Sequence, residues 1–142
     1  MKTVRQLLQG KQFSVYTVEP DVPVIAALRL MAEHGIGALP VVAGGRLEGI
    51  LSERDYARKI VLQGRSSHDT RVSEIMTARV FCVGPQQTVE ECMVLMTEKR
   101  IRHLPVIEDG KLIGLLSIGD LVKETISEQQ FVIAQLESYI NG

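Results

Sequence analysis

The sequence predicts an α/β fold of the α+β kind, built from two β-α-β-β-α units that pack face to face about a pseudo-twofold axis. The first observation behind this prediction is an internal repeat. Residues 15–61 align with residues 80–126 without a gap, and 17 of these 47 positions are identical. The second is that the apolar pattern alternates between strand and helix periodicity in the same order within both copies.

The composition excludes several classes of protein. The chain has 142 residues, of which 45% are hydrophobic and 23% charged, so it can bury a core and is not a disordered tail. A net charge of −1 and an aromatic content of 4% argue against nucleic acid or an anionic membrane as a partner. No apolar run reaches the roughly 20 residues of a membrane span and no signal-like segment begins the chain, so we expect a cytoplasmic protein.

The two cysteines predict neither a disulfide nor a zinc site. Cys82 and Cys92 lie ten residues apart, with no Cys-x-x-Cys pair or histidine cluster beside them. We therefore expect both to be small buried hydrophobic residues in a reducing compartment.

Each copy begins with a short strand and an amphipathic helix. The predicted strands are residues 15–18 and 80–83, each closed by a proline two residues later. The helix of the second copy begins with a capping box of Thr88 and Glu91, whereas Pro23 stands at the matching place in the first copy. The apolar helix positions follow the spacing i, i+3, i+4, i+7. They are Val24, Ala27, Leu28 and Met31 in the first copy and Val89, Cys92, Met93 and Met96 in the second.

A hairpin and a second helix complete each copy. A strand containing Leu-Pro-Val is followed by a two-residue turn with glycine, a second strand, and a helix that starts at a serine. The predicted elements are strands 39–42 and 47–51 around Gly44 and Gly45 with a helix from Ser52, and strands 104–107 and 112–116 around Asp109 and Gly110 with a helix from Ser117.

We predict four parts along the chain: a first repeat with its lead-in (1–62), a polar linker (63–71), a second repeat with its lead-in (72–126) and a C-terminal helix (127–142). The two lead-ins match at a spacing of 68, so the first half carries about three extra residues near Lys11 to Phe13. The C-terminal helix has Phe131, Ile133, Ala134, Leu136 and Ile140 as its candidate apolar positions.

Four motifs, repeated in the same order, resemble the CBS domain. The run from Ile101 to Val106 reads I-R-H-L-P-V, and residues 49–55 and 114–120 both read G-h-h-S-x-x-D, where h is an apolar residue. The lead-in at 72–77 reads V-S-E-I-M-T, which is similar to the phrase that commonly precedes a CBS repeat. The resemblance covers nearly the whole chain and implies a tandem CBS pair, a Bateman-type module that often dimerises into a disc of four repeats.

The resemblance also implies a function. Such modules bind adenosine-containing ligands in clefts between the repeats, with AMP the leading candidate here and ADP, ATP, NAD and S-adenosylmethionine the others. They regulate something else, so we expect no catalytic cofactor, a homodimer and a separate regulated protein. A structural dimerisation module with unoccupied clefts is the alternative. The sequence contains no nucleophile elbow, Walker motif or zinc-protease motif, which argues against an enzyme.

The Ser-x-x-Asp pairs at the starts of the second helices are candidate binding residues. Helix N-terminal amides attract anions, and a carboxylate can accept both hydroxyls of a ribose diol. This assigns Ser52 and Asp55 and, by repetition, Ser117 and Asp120. The same pattern is close to a helix capping box that serves only the helix, and the spacing alone does not separate the two interpretations.

The resemblance places the Ser and Asp of one repeat opposite the segment before Leu-Pro-Val of the other. Because Arg102 and His103 carry the positive charge there, we predict that the cleft of Asp55 is the better phosphate site. Each of these residues also has a structural interpretation. Arg54 can be a solvent-facing charge and His103 a hydrogen-bonded ring, and the prolines and isoleucines can belong to the core. The predicted first cleft comprises Ser52, Arg54, Asp55, Ile101, Arg102, His103 and Pro105, and the weaker second cleft comprises Ser117, Asp120, Ile36, Ala38 and Pro40, next to Gly37.

Overall fold

The computed structural model of the chain describes residues 2–10 and 15–141, so the extra residues predicted near Lys11 to Phe13 lie outside the described part. The observed order is α-α-β-β-α and then α-α-β-β-α. The first half contains α1 (Val4–Gln9), α2 (Val24–His34), β1 (Ala38–Ala43), β2 (Arg46–Ser52) and α3 (Glu53–Tyr56), which runs on as a π-helix (Ala57–Val61). The second half contains α4 (Val72–Ile75), α5 (Val89–Lys99), β3 (His103–Glu108), β4 (Lys111–Ser117) and α6 (Ile118–Asn141).

The two predicted hairpins are confirmed, with the same register in both halves. Strand β1 pairs antiparallel with β2, and β3 pairs antiparallel with β4, so that Pro40 faces Ile50 and Pro105 faces Leu115. Both residues of each turn have positive φ, including the non-glycine Asp109 at 52°, as a type I′ turn requires. Strands β2 and β4 lie against each other, which joins the two hairpins.

The prediction of four-residue strands at 15–18 and 80–83 is wrong, because only one residue of each segment pairs with a strand. Each segment contributes a single parallel bridge, from Val18 to Val41 and from Val83 to Val106. Val18 donates its N–H to the carbonyl of Pro40 (3.1 Å) and accepts from the N–H of Val42 (2.9 Å), and the chain then turns away at Pro20. Proline has no N–H to continue a ladder, which keeps the pairing to one residue.

The helices α2 and α5 bury the predicted apolar stripes. Each ends at a residue in the left-handed conformation, Gly35 (φ 63°) in the first copy and Arg100 (φ 55°) in the second. At the start of α5 the hydroxyl of Thr88 accepts the N–H of Glu91 (3.1 Å), as a cap should. The fully buried side chains of the two stripes are Val24, Ala27 and Met31, and Val89, Cys92 and Met96.

The lead-in helices, which the prediction groups with the repeats at 1–62 and 72–126, each pack on the opposite repeat. Val4 and Leu7 of α1 are buried in the core formed by α5, β3 and β4, and Val72 and Ile75 of α4 are buried in the core formed by α2, β1 and β2. The backbone follows the same exchange, because Val4 donates its N–H to the carbonyl of Gln87 at 2.8 Å. Each repeat therefore completes its core with a segment from the other, and neither is an independent unit.

The linker at 63–71 is ordered rather than a loose connection. Thr70 is buried and donates its hydroxyl to the carbonyl of Ser66 at 2.7 Å. Carbonyls of this linker accept the first two N–H groups of α2, those of Val24 (2.8 Å) and Ile25 (3.0 Å). Because Pro23 provides no side-chain cap for α2, the linker supplies these acceptors instead.

The C-terminal helix is not separate from the helix that starts after Ser117. Residues 118–141 form one continuous helix of 24 residues, α6. In the first half the equivalent helix ends with the π-helix at Val61, and the chain turns at Gly64, whose φ is 65°. The predicted apolar positions of the extension, including Phe131 and Ile140, are exposed, so this segment adds nothing to the described core.

The two cysteines occupy different environments. Cys92 is fully buried, and burial, together with the Glu91 carboxylate, raises the pKa of its thiol to about 11. Cys82 is exposed, so the expectation that it is buried is wrong. It follows Phe81 in the segment that forms only one bridge, where one side of the chain faces solvent.

Candidate functional site

Both Ser-x-x-Asp pairs form helix caps. The Ser52 N–H and hydroxyl donate to Oδ2 of Asp55 at 3.0 Å each, and the Asp55 N–H returns a bond to Ser52 Oγ. Ser117 and Asp120 repeat this arrangement, with 2.9 Å for the two bonds that Ser117 donates and 3.2 Å for the bond that Asp120 returns. The capping interpretation is therefore correct for the helix starts, and any ligand contact must be made in addition to it.

The two carboxylates differ in what surrounds them. Oδ1 of Asp55 accepts the hydroxyl of Thr77 and faces the ammonium of Lys59, both at 3.2 Å, and only 8% of the residue is exposed. At the position of Lys59 the second half has Glu124, which pairs with Lys2 at 3.2 Å. Asp55 is thus almost fully enclosed, whereas Asp120 lies at the wall of a cavity.

This cavity, of about 390 Å³, lies between the two repeats. Its size falls in the range of small-molecule sites. The small residues Gly37 and Ala38 stand opposite Ser117 and Asp120, as the second-cleft prediction places them. The lining from the first half is Val15, Tyr16, Gly35, Ile36, Gly37 and Ala38, and from the second half His103, Leu115, Ser117 and Asp120.

His103, predicted for the first cleft, lines the second cleft in the structure, together with Ser117 and Asp120. It is the cross-strand partner of Ser117, since the start of β3 lies beside the end of β4 in the same hairpin. Burial holds the pKa of His103 below its usual value of 6.5; Asp120 and Glu53 oppose this shift and Arg102 reinforces it. The imidazole is therefore a neutral group in the unliganded protein near pH 7.

We expect the unliganded protein to lose stability on acidification partly through His103. A histidine whose pKa is lowered by folding binds protons more readily in the unfolded chain, so its contribution is complete above pH 6.5 and is lost as the pH falls. Thermal unfolding at about pH 7.5 and about pH 5.5 should show a smaller acid-induced loss for His103→Gln than for the wild type. Equal losses would contradict the depressed pKa.

Three arginines surround a second cavity of about 450 Å³, next to the first cleft. Arg54, Arg100 and Arg102 line it together with Ile101, so three of the predicted first-cleft residues do meet. The guanidinium of Arg54 reaches the carbonyl of Arg100 at 3.5 Å. Ser52 and Asp55 are not part of this lining. The arginines predicted for the first cleft therefore line a cavity to which the Asp55 carboxylate does not contribute.

The two prolines proposed as adenine walls belong to the core. Pro40 and Pro105 are buried, and their carbonyls accept the N–H groups of Val18 (3.1 Å) and Val83 (3.0 Å). Neither lines the two cavities described above. Ile36 and Ile101, proposed with them, do line one cavity each.

Sequence reasoning missed Tyr16, which lines the cavity of Asp120. Its ring stacks on that of His34 with centroids 3.6 Å apart and an angle of 15°. The repeat alignment contained the signal, because Tyr16 aligns with Phe81 and His34 with Lys99. The second pair is also in contact, with the Lys99 ammonium 5.1 Å from the Phe81 ring. An aromatic side chain thus lies beside the C-terminal end of α2 and of α5.

No cluster of three or more His, Cys, Asp or Glu residues suited to a metal ion occurs within residues 2–10 and 15–141. In the same described ranges, no helix has the length and hydropathy to cross a bilayer.

Two interleaved repeats with a cavity between them define a tandem-repeat module. The model of the CBS domain family matches residues 11–62 and 72–127, which correspond to the two repeats. The chain belongs to the CBS domain family and is a pair of CBS repeats.

Individual relatives agree with this family. A solved structure of a CBS-domain protein from Burkholderia ambifaria is 59% identical, has a TM-score of 0.87, and the match covers 90% of this chain and 96% of that one. A mitochondrial CBS domain-containing protein from Arabidopsis thaliana is 46% identical. The match covers 86% of this chain and 62% of that protein. An inosine-5'-monophosphate dehydrogenase from Korarchaeum cryptofilum is 40% identical over 75% of this chain and 21% of that enzyme.

Proposed function

We propose that this chain is a non-enzymatic regulatory module that binds an adenosine-containing ligand, AMP first among the candidates, in the cleft of Ser117 and Asp120. The observation that carries the proposal is the cavity of about 390 Å³ in which Asp120, Ser117 and His103 of one repeat face Gly37 and Ala38 of the other. Polar groups meet at one end of a cavity that has apolar and small residues elsewhere, which is the usual composition of a small-molecule site.

Each part of the ligand has a partner in this cleft. The Asp120 carboxylate is the acceptor for the ribose diol, and Ser117 holds that carboxylate in place through its cap. Ile36, Leu115 and the ring of Tyr16 offer apolar surface for the purine. His103 is the candidate phosphate partner: an adjacent phosphate would raise its pKa, so affinity for a phosphorylated ligand would increase as the pH falls.

The geometry supports ranking this cleft above that of Asp55, the reverse of the ranking predicted from charge. Gly37 and Ala38 leave space opposite Asp120, whereas Arg102 and His103 are the larger residues at the matching positions. Asp55 is also only 8% exposed, whereas Asp120 lines the cavity. The arginine-lined cavity of Arg54, Arg100 and Arg102 is the candidate for a second, purely anionic group such as a phosphate.

The similarity to part of an inosine-5'-monophosphate dehydrogenase supports a link with nucleotides. We propose further that the module is cytoplasmic and homodimeric, and that it controls a separate protein by a ligand-dependent change in arrangement. The size of such a change is limited by the difference in ligand affinity between the two states. The competing function is a dimerisation module whose clefts stay unoccupied.

Thermal unfolding and calorimetric titration with adenosine, AMP, ADP, ATP, NAD and S-adenosylmethionine would test the proposal. A ligand at 100 times its Kd should stabilise the protein by about 2.7 kcal/mol, which corresponds to a rise in Tm of roughly 5–10 °C for a chain of this size. GMP serves as the control for base recognition. The absence of stabilisation by all six compounds at millimolar concentration would refute the sensor function and favour the structural module.

A further inference from the structure

The distal half of α6 extends away from the described core with apolar side chains in solvent. Every residue from 129 to 141 is exposed, whereas Leu121 near the start of the helix is fully buried. Ile133 is 54% exposed and Ile140 is 78% exposed. A single short helix in water gains little stability from propensity alone, so an apolar helix of this kind needs a partner surface.

The exposed side chains repeat every seven residues. Ile126, Ile133 and Ile140 are spaced by seven, and so are Val122, Gln129 and Leu136. The two sets alternate at steps of four and three, which matches the a and d positions of a coiled coil, with isoleucine at every a position. We call this stripe the C-terminal seam; it consists of Val122, Ile126, Gln129, Ile133, Leu136 and Ile140.

We propose that the C-terminal seam pairs with the C-terminal seam of a second copy of this chain, forming a parallel two-stranded coiled coil. A β-branched residue at a with leucine at d favours two parallel strands, and both features occur here at Ile133 and Leu136. In a parallel pair the single polar seam residue, Gln129, meets its own counterpart, so its amide gains a hydrogen-bonding partner and sets the register.

The exposed area is sufficient for such a dimer. Val132 and Tyr139 occupy g positions beside the seam and are 50% and 87% exposed. Together with the five apolar seam residues they offer on the order of 700 Å² per protomer. This is close to the roughly 800 Å² that each partner contributes to a standard interface. We therefore expect a dimer that dissociates reversibly on dilution.

The charges beside the seam are compatible with a second copy. The g positions, Thr125, Val132 and Tyr139, carry no charge and so do not repel the e positions Lys123, Gln130 and Glu137 of a partner. Lys123 is the only basic residue in α6 beyond its first turn, which makes this helix a poor match for an anionic lipid surface. The seam therefore fits a copy of itself better than a membrane.

Ile133→Glu tests the seam, with Phe131→Glu as the matched control on the same helix. Phe131 is 65% exposed but lies at an f position, on the outer side of a coiled coil. Sedimentation equilibrium should show a wild-type dimer that Ile133→Glu weakens roughly 100-fold or more, because a buried glutamate has no partner in the seam. Phe131→Glu should change the Kd less than roughly threefold. Circular dichroism checks that both variants fold.

Two outcomes would overturn the proposal. One is a wild-type protein that stays monomeric at ~100 μM, far above the Kd expected for such an area. The other is a dimer that Ile133→Glu leaves intact, or that Phe131→Glu disrupts equally, since both would place the interface elsewhere.

The parallel orientation has its own test. Ile140→Cys in a Cys82→Ser background should give a covalent dimer on mild oxidation, because the two residues 140 meet at one end of a parallel pair. In an antiparallel pair centred on Ile133 they lie about 20 Å apart and cannot be joined. A dimer that is not cross-linked would contradict the parallel arrangement.

Discussion

Replacing Asp120 with alanine should weaken AMP binding by roughly 10- to 100-fold, since hydrogen bonds to a charged group contribute about 1.5–3 kcal/mol. The matched variant, Asp55→Ala, should change the Kd less than roughly threefold. The reason is geometric. Asp120 lines the cavity between the repeats, whereas Asp55 is 8% exposed and faces Thr77 and Lys59.

The two variants control for each other. Both lose the same cap, because Ser52 and Ser117 bond Oδ2 of their aspartates in the same way. Loss of a cap costs about 1 kcal/mol, so both proteins should unfold at lower temperature. Calorimetric titration of AMP below that temperature then isolates the ligand contact. A larger loss for Asp55→Ala would restore the ranking based on the charges of Arg102 and His103.

Gly49→Ala should destabilise the protein by about 3 kcal/mol, whereas Gly114→Ala should cost about 1 kcal/mol or less. The two glycines hold the same place in the repeat. A Cβ on Gly49 would lie 2.7 Å from the backbone carbonyl oxygen of Thr77. That carbonyl accepts the N–H of Ile50 at 2.9 Å, and the Thr77 N–H bonds back to Ile50 at the same distance. The carbonyl can move only by breaking this pair.

Gly114 meets a softer neighbour. A Cβ there would lie 2.8 Å from Cδ2 of Leu8, the flexible end of a half-buried side chain of α1. Leu8 can rotate, so the strain is small. Urea unfolding of both variants would measure the difference, which corresponds to a gap in Tm of roughly 5 °C. Equal destabilisation would show that the Thr77 backbone is more mobile than its two hydrogen bonds indicate.

Local pattern was a sound guide to elements whose partners are near in sequence. The pairing of β1 with β2 beside the turn follows from Gly44 and Gly45, although the register shifts between Val41 and Val42. The buried face of α2 follows from apolar residues one turn apart. The CBS family was predicted from motifs that occur twice in the same order, and the match of the family model to residues 11–62 and 72–127 confirms it. Predictions that depended on distant contacts fared worse, such as the strands at 15–18 and 80–83 and the burial of Cys82.

The candidate site shows the same division. The identity of Ser117 and Asp120 as a helix-start pair was predictable, because a cap involves residues three apart. The contact between Asp55 and Thr77 was not, because it joins residues 22 apart in sequence, whereas Lys59 lies only four residues after Asp55. His103 lies beside Ser117 because the two residues pair across the hairpin of β3 and β4. The predicted hairpin already implied this pairing, but the prediction for His103 was based on its charge.

By itself, the sequence determined that this protein is two copies of one unit, with matching hairpins, helices and caps, because those features depend on short-range periodicity and turn chemistry. Only the tertiary structure decided that α1 completes the second core and α4 the first, and that one cleft holds a cavity while the other aspartate is enclosed. The lead-ins exchange places in the same way in both halves, so the two aspartates differ because the side chains around them differ, as Lys59 and Glu124 do. The repeats are identical at 17 of 47 aligned positions, and packing decides which of the differing side chains lie beside each aspartate.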